Sequence, residues 1–340
     1  QHIVSESYGA PCPEIHLRLQ NQNGKVGLEV DSNPLLGQAH LEAKSNLLET
    51  PIQIDAKSSV NNLQLNQLRD IATRLVGKPT PEFQATVNLE SKAKVQYLPK
   101  ECRVQSNVTL SACQLSALGI SIGNLETNLG TQLAWTPEAK DPLVGQASAT
   151  YRWEGIDVKQ LSAMVHVGDL VGRVASHGSA RVAFHPLPEL ATLESDCAVA
   201  WQDISVQGIR LQDAQLRLLA ENGKAEVRLP ATAFSSPDGV QLGEVQTLVQ
   251  ADLSPNGPIR FQCSADRLSL SAAASLLGLE SSNFSGQCST SLTAVSNLAS
   301  AANPNGWDAD LKVSSGALQI HGEAIQPIQL NAHLRAGQFQ

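Results

Sequence analysis

Residues 307–340 read WDADLKVSSGALQIHGEAIQPIQLNAHLRAGQFQ. Trp307, Ala309, Leu311 and Val313 are apolar, and Asp308, Asp310, Lys312 and Ser314 alternate with them. Leu318 and Ile320 resume the pattern after Ser315-Gly316, with Gln319 and His321 on the opposite phase. Beyond Gly322, Ile328, Leu330, Ala332, Leu334 and Ala336 alternate with Gln329, Asn331, His333 and Arg335. A period of two sends successive side chains to opposite sides of an extended backbone, so these segments are β-strands with one apolar and one polar face. The short gaps containing glycine predict sequential antiparallel neighbours. No helical pattern nearby is long enough to cover the apolar face, and what covers it is the central question of the chain.

The pattern recurs. Cys197-Ala-Val199-Ala-Trp201, Ile204-Ser-Val206, Ile209-Arg-Leu211 and Leu216-Arg-Leu218 follow it, as do Val108-Thr-Leu110, Ile120-Ser-Ile122, Leu125 and Leu129. Gly119, Gly208 and Gly322 fall at one equivalent turn. Upstream of each copy, Leu63-Gln-Leu65, Ile156-Asp-Val158 and Leu268-Ser-Leu270 open a short helix-like segment. A new alternating run then begins near Phe83, Ala180 and Phe284. Spacings of three and four predict short helices over Asn66–Val76, Lys159–Leu170 and Ser271–Leu279. A repeat of this kind implies a modular body rather than one globule. The expected divisions are an irregular lead-in over 1–13, a partial β module over 14–60, and β repeats over 61–153, 154–266 and 267–340, the last truncated.

Composition agrees with a strand-rich chain that builds no large aromatic core. Hydrophobic residues make up 42% of the 340 residues but aromatics only 4%, so alanine, leucine and valine carry the apolar phase. The net charge is −8, without a lysine- or arginine-rich run, which argues against nucleic acid as a partner. The chain starts at Gln1 and stops within a strand pattern, as expected for a piece of a longer protein, and no stretch has the ~18 apolar residues of a spanning helix.

The chemistry-bearing residues do not assemble into a catalytic motif. Cys12, Cys102, Cys113, Cys197, Cys263 and Cys288 include no CxxC pair, and most share the apolar phase of their strands, where a buried thiol acts as a small hydrophobe. Ser179 lacks a GxSxG frame, and His166, His177 and His185 lack helical metal spacing. Asp308 and Asp310 fit a solvated strand face better than a hydrolase pair. The expectation is therefore a non-enzymatic protein with no cofactor and no metal site. Trp135, Trp153, Trp201 and Trp307 leave one rival open, an extracellular β-rich adhesion or carbohydrate-binding module.

The opener Leu268-Ser-Leu270…Leu277-Gly278, the strand opening at Phe284-Ser-Gly286 and the run DLKVSSGALQIHGEAIQPIQLNAHLRAGQF resemble the repeat of AsmA-like bacterial envelope proteins, the bridge-like lipid transfer proteins of the TamB and YhdP type. The resemblance covers about residues 60–340 and lies in spacing rather than in invariant residues. It implies a mostly β fold in which an elongated, repetitive antiparallel sheet forms a twisted, taco-like hydrophobic groove, with a few short helices between repeats. It also implies a periplasmic, cell-envelope location, with the groove carrying phospholipid acyl chains between membranes or supporting outer-membrane biogenesis. Membrane attachment would come from segments outside this chain, and other envelope proteins would meet the ends of the groove. The candidate lining residues are Val108, Leu110, Leu125, Leu129, Val199, Trp201, Leu216, Leu218, Leu311, Val313, Leu318, Ile320, Leu330 and Leu334.

Overall fold

The computed structural model describes residues 14–33, 38–65, 83–117, 120–160, 170–185, 187, 189–206, 208–276, 279–335 and 338–339. The protein is mostly β, with 75% of it in strands and 5% in helix. The expected helix over 66–76 and most of that over 159–170 lie outside the described residues. Contacts divide the chain into two units, residues 1–155 with 177–189, and residues 156–176 with 190–340.

The first unit is an antiparallel meander in which each strand pairs with the next. It runs through β1 (Glu14–Gln22), β2 (Lys25–Asn33), β3 (Gln38–Asn46), β4 (Ile52–Gln64), β5 (Phe83–Leu98), β6 (Glu101–Ala117), β7 (Ile120–Trp135) and β8 (Leu143–Asp157). The boundary between the units passes through β9 (Val171–Phe184).

In the second unit β10 (Glu194–Val206) pairs with β11 (Ile209–Leu211) and β12 (Ala214–Glu221). The meander continues through β13 (Lys224–Ser235), β14 (Gln241–Asp252) and β15 (Pro258–Ser269). Helix α1 (Leu270–Leu276) follows, slightly ahead of its expected span. A two-residue strand, β16 (Phe284–Ser285), then precedes β17 (Gln287–Asn297), which returns beside β15. β18 (Asp308–Ser315) pairs with β17, and the chain continues through β19 (Leu318–Ile320), β20 (Glu323–Ile325), β21 (Gln329–Arg335) and β22 (Gln338–Phe339).

The sequential pairing expected for residues 307–340 does not hold throughout. β18 pairs directly with β21, placing Leu311 opposite Ala332. β19 leaves the meander and forms a three-stranded sheet with β16 and β20. The physical reason is Gly286. Its φ of +108° bends the strand between β16 and β17, and a Cβ there would lie 2.8 Å from a Leu318 methyl carbon. Leu318 packs against this glycine and is 5% exposed.

The alternation is interrupted by one device used four times. In Val60-Asn-Asn-Leu63, Ala112-Cys-Gln-Leu115, Trp201-Gln-Asp-Ile204 and Ala265-Asp-Arg-Leu268 the apolar residues are three apart instead of two. The strand register shifts at the first, second and fourth of these steps. In each, the second polar residue has left-handed φ: Asn62 at 57°, Gln114 at 55°, Asp203 at 53° and Arg267 at 52°. Such a residue is an inserted bulge that restores the apolar phase beyond it. The amide of each donates to a side-chain oxygen: Asn88 Oδ1 at 2.8 Å, Asn124 Oδ1 at 3.2 Å, Asp213 Oδ1 at 2.8 Å and Ser289 Oγ at 3.2 Å. Each acceptor follows its bulge in the chain, so the amide freed by the bulge is still satisfied.

The two crossovers of the second unit are also built alike. Val158 N–H donates to Gly172 O at 3.0 Å, and Leu270 N–H donates to Gly286 O at 3.1 Å. Gly172 has φ +123°, and a Cβ on it would lie 2.7 Å from Ile204 Cα. We predict that Gly172→Ala and Gly286→Ala each destabilise the protein by about 2 kcal/mol or more, through backbone strain and overlap together. Gly239→Ala, at φ +81° with nothing within 4 Å, costs only the conformational part, about 1 kcal/mol. Urea unfolding of the three variants measures the difference.

Candidate functional site

Register decides which side chains share a surface, because residues directly opposite in a sheet lie on the same face. In the first unit one row runs Leu17, Val30, Leu41, Ser58, Ser91, Val108, Leu129, Ala149 across β1 to β8. The next runs Leu19, Leu28, Ala43, Ala56, Ala93, Ser106, Thr131, Ala147. On either side of these rows stand larger aliphatics, with Val60, Leu89 and Leu110 on one flank and Ile54, Val95, Val104 and Leu133 on the other. The result is an apolar belt running across the strands, floored mainly by small residues over β4 to β8. Eight strands make it about 34 Å long at ~4.8 Å per strand.

The hydroxyls in this floor satisfy one another. Ser58 Oγ donates to Ser91 Oγ at 3.2 Å, and the hydroxyls of Ser106 and Thr131 share a bond of 2.7 Å. An internally paired hydroxyl demands little from whatever lies on it.

The second unit carries a corresponding face. One row runs Cys197, Leu218, Val227, Val249, Phe261, Ala294, Ala309, Leu334. A neighbouring row includes Val199 opposite Leu216 and ends with Leu229, Thr247, Cys263, Leu292, Leu311 and Ala332. Beyond the β13 bulge, Thr232, Val245, Ala265, Thr290, Val313 and Leu330 form a third.

Register therefore brings Val108, Leu110, Leu125 and Leu129 to one face of the first unit. It brings Val199, Trp201, Leu216, Leu218, Leu311, Val313, Leu330 and Leu334 to one face of the second. Leu318 and Ile320 belong instead to the small sheet of β16, β19 and β20, so the main apolar face does not include them.

The first unit's belt is partly exposed, whereas the second unit's rows include the buried Thr232, Ala265 and Ala294. Thirteen hydrophobic side chains are buried among the described residues, and seven of those are alanines. They do not form a layer over the belt. The buried cluster of the first unit is Ala85, Val87 and Ala112 with Leu63, Leu65, Leu110, Leu115 and Leu125 against it, at the bulged end of β4 to β7. Leu17 is 68% exposed, Trp135 50% and Leu330 50%. The extensive backbone contacts between described elements run between hydrogen-bonded strands or around α1. The described cysteines are free thiols, and burial raises the pKa of Cys288, which holds it as a neutral apolar group. Trp135 and Trp201 lie on the apolar phase, as does Trp153 opposite Leu125. Trp307 donates its indole N–H to Ala301 O at 2.9 Å.

The opposite face is polar. Across the first unit it carries His16, Asp31, His40, Ser59, Glu90, Thr109 and Asn128 in one row. Two cross-strand pairs have the same geometry, with His40 Nδ1 donating to Asp31 Oδ1 and His333 Nδ1 to Asp310 Oδ1, both at 2.6 Å. Compared with known protein families, curated proteins and solved structures, the chain matches none. The likeness to AsmA-like proteins thus rests on the repeat pattern.

The Asp31 hydrogen bond raises the His40 pKa above its ordinary value of about 6.5, helped by the charges of Asp31, Glu29 and Glu42. The pair therefore favours the fold while His40 is protonated, and that contribution is lost as pH rises through the folded pKa. We predict that the His40 titration midpoint, followed by NMR, falls in Asp31→Asn.

Proposed function

We propose that the apolar belt of each unit carries the acyl chains of phospholipid, as a non-enzymatic conduit of the cell envelope. The observation that carries this reading is an apolar face continuous across eight strands of the first unit and partly exposed along its length. An apolar surface of that extent is a binding surface rather than ordinary solvent-facing sheet. Each acyl CH₂ it removes from water contributes about 0.8 kcal/mol.

The lining also favours movement over capture. A bilayer hydrocarbon core is ~30 Å thick, so one acyl chain spans about 15 Å, roughly half the belt. The floor of alanine and paired hydroxyls offers similar contacts along its length. Larger aliphatics on both flanks keep the tail on the belt, and the charged opposite face holds the sheet in water. In this proposal the protein works in the periplasm, with membrane attachment and partner proteins at the ends of the conduit supplied from outside the described residues. The position of Trp135, Trp153 and Trp201 on the apolar phase supports lipid over a sugar platform, which needs aromatics displayed among polar groups.

Adjacent residues on opposite faces provide the test. Leu110→Asp places a carboxylate in the belt, and Thr109→Asp places one on the polar face. Native mass spectrometry with lipid extraction is expected to show phospholipid on wild type and Thr109→Asp, and most of it lost from Leu110→Asp. In the second unit Leu311→Asp with Leu330→Asp is expected to do the same. Lipid-free wild-type protein, or equal lipid on folded Leu110→Asp, overturns the reading.

A further inference from the structure

The polar row that begins at β1 concentrates metal-binding side chains. His16 lies directly opposite Asp31, and Asp31 directly opposite His40, so two imidazoles flank one carboxylate across three strands. Glu29 is two residues from Asp31 on the same strand and therefore on the same face. One ligand atom each from Glu29, Asp31 and His40 lies within 4.8 Å of the others. Among the described residues this is where three such atoms converge. Direct cross-strand neighbours have Cβ atoms about 4.5–5.5 Å apart, and His16 is such a neighbour of Asp31, although its ring is not one of the three converging groups.

We propose that His16, Asp31, His40 and Glu29 bind a divalent transition-metal ion of the zinc class. The donor set selects the ion: imidazole with carboxylate suits zinc, whereas calcium and magnesium take oxygen ligands. Binding requires side-chain rotations that bring these ligand atoms to the ~2.0–2.2 Å bonds that zinc needs. Arg18, opposite Glu29 and 3.9 Å from its carboxylate, competes for it, so Glu29 is the weakest ligand of the four. The ion would join three strands. It would matter most for β1, which among the described residues pairs only with β2, and whose Leu17 and Leu19 are 68% and 67% exposed. This inference is independent of the lipid reading, because the site lies on the opposite face.

The chain contains its own control. Asp310 and His333 form the same 2.6 Å pair, but Asp310 has Thr293 rather than a second histidine on its other side. The test is titration of the untagged chain with Zn²⁺ against a chromogenic chelator at mildly alkaline pH, together with thermal unfolding. One ion per chain and a Zn²⁺-dependent rise in Tm are expected, and excess Ca²⁺ should displace nothing. Losing even the outer hydrogen-bond partner of a ligand costs about 10- to 100-fold in affinity, so His16→Ala and His40→Ala should each weaken binding at least ~10-fold. His333→Ala should bind as wild type. The double variant His16→Gln/His40→Gln keeps polar side chains at both positions and should lose the ion while retaining its circular dichroism. No saturable binding by wild type, unchanged affinity in His40→Ala, or an equal loss in His333→Ala overturns the proposal.

Discussion

Phase is the constraint on which the rest of this structure depends. A strand that slips by one residue sends its entire apolar set to the wrong side, and a meander passes such an error to each later strand. The register shifts after Val60, Ala112 and Ala265, and at each of these, as in the matching step after Trp201, the chain inserts one left-handed residue. Neither face could persist across a unit without those insertions. They carry an energetic cost, since left-handed φ is unfavourable for Asn, Gln, Asp and Arg to differing degrees. The capping bonds from Asn88, Asn124, Asp213 and Ser289 offset part of it.

Much of this was legible in the amino-acid order. Strict alternation around Trp307 predicted strands and their faces, because period two has no competing helical reading over such runs, but it did not predict which strands pair there. The three-residue steps VNNL, ACQL, WQDI and ADRL are visible too, but without a partner strand a skipped residue cannot be told from a turn. β19 was misplaced for a related reason. Leu318 and Ile320 keep the alternating pattern, and only the bend at Gly286 sends them to a different sheet. Twelve of the fourteen candidate lining residues follow from phase alone, whereas Leu318 and Ile320 depend on packing across a crossover.

The histidine row shows the converse. His16, Asp31 and His40 each sit on the polar phase of a predicted strand, but their alignment requires the register of two hairpins. Individually they resemble solvated surface residues. The charge pattern of the polar face is therefore less readable than the apolar pattern of the other. Hydrophobicity repeats along one strand, while a constellation of charges forms between strands.

The bulge caps have a consequence for how the chain acquires its structure. Each acceptor lies downstream of the residue it satisfies, ten positions on for Gln114 and Asp203. From β1 to β8 and from β12 to β15, each described strand is also completed by the one that follows it. In those meanders pairing runs between sequence neighbours, which limits the loop-closure cost that slows sheets built from distant segments. Such a polypeptide can add order in the direction of synthesis, each new hairpin sealing the irregularity left by the last.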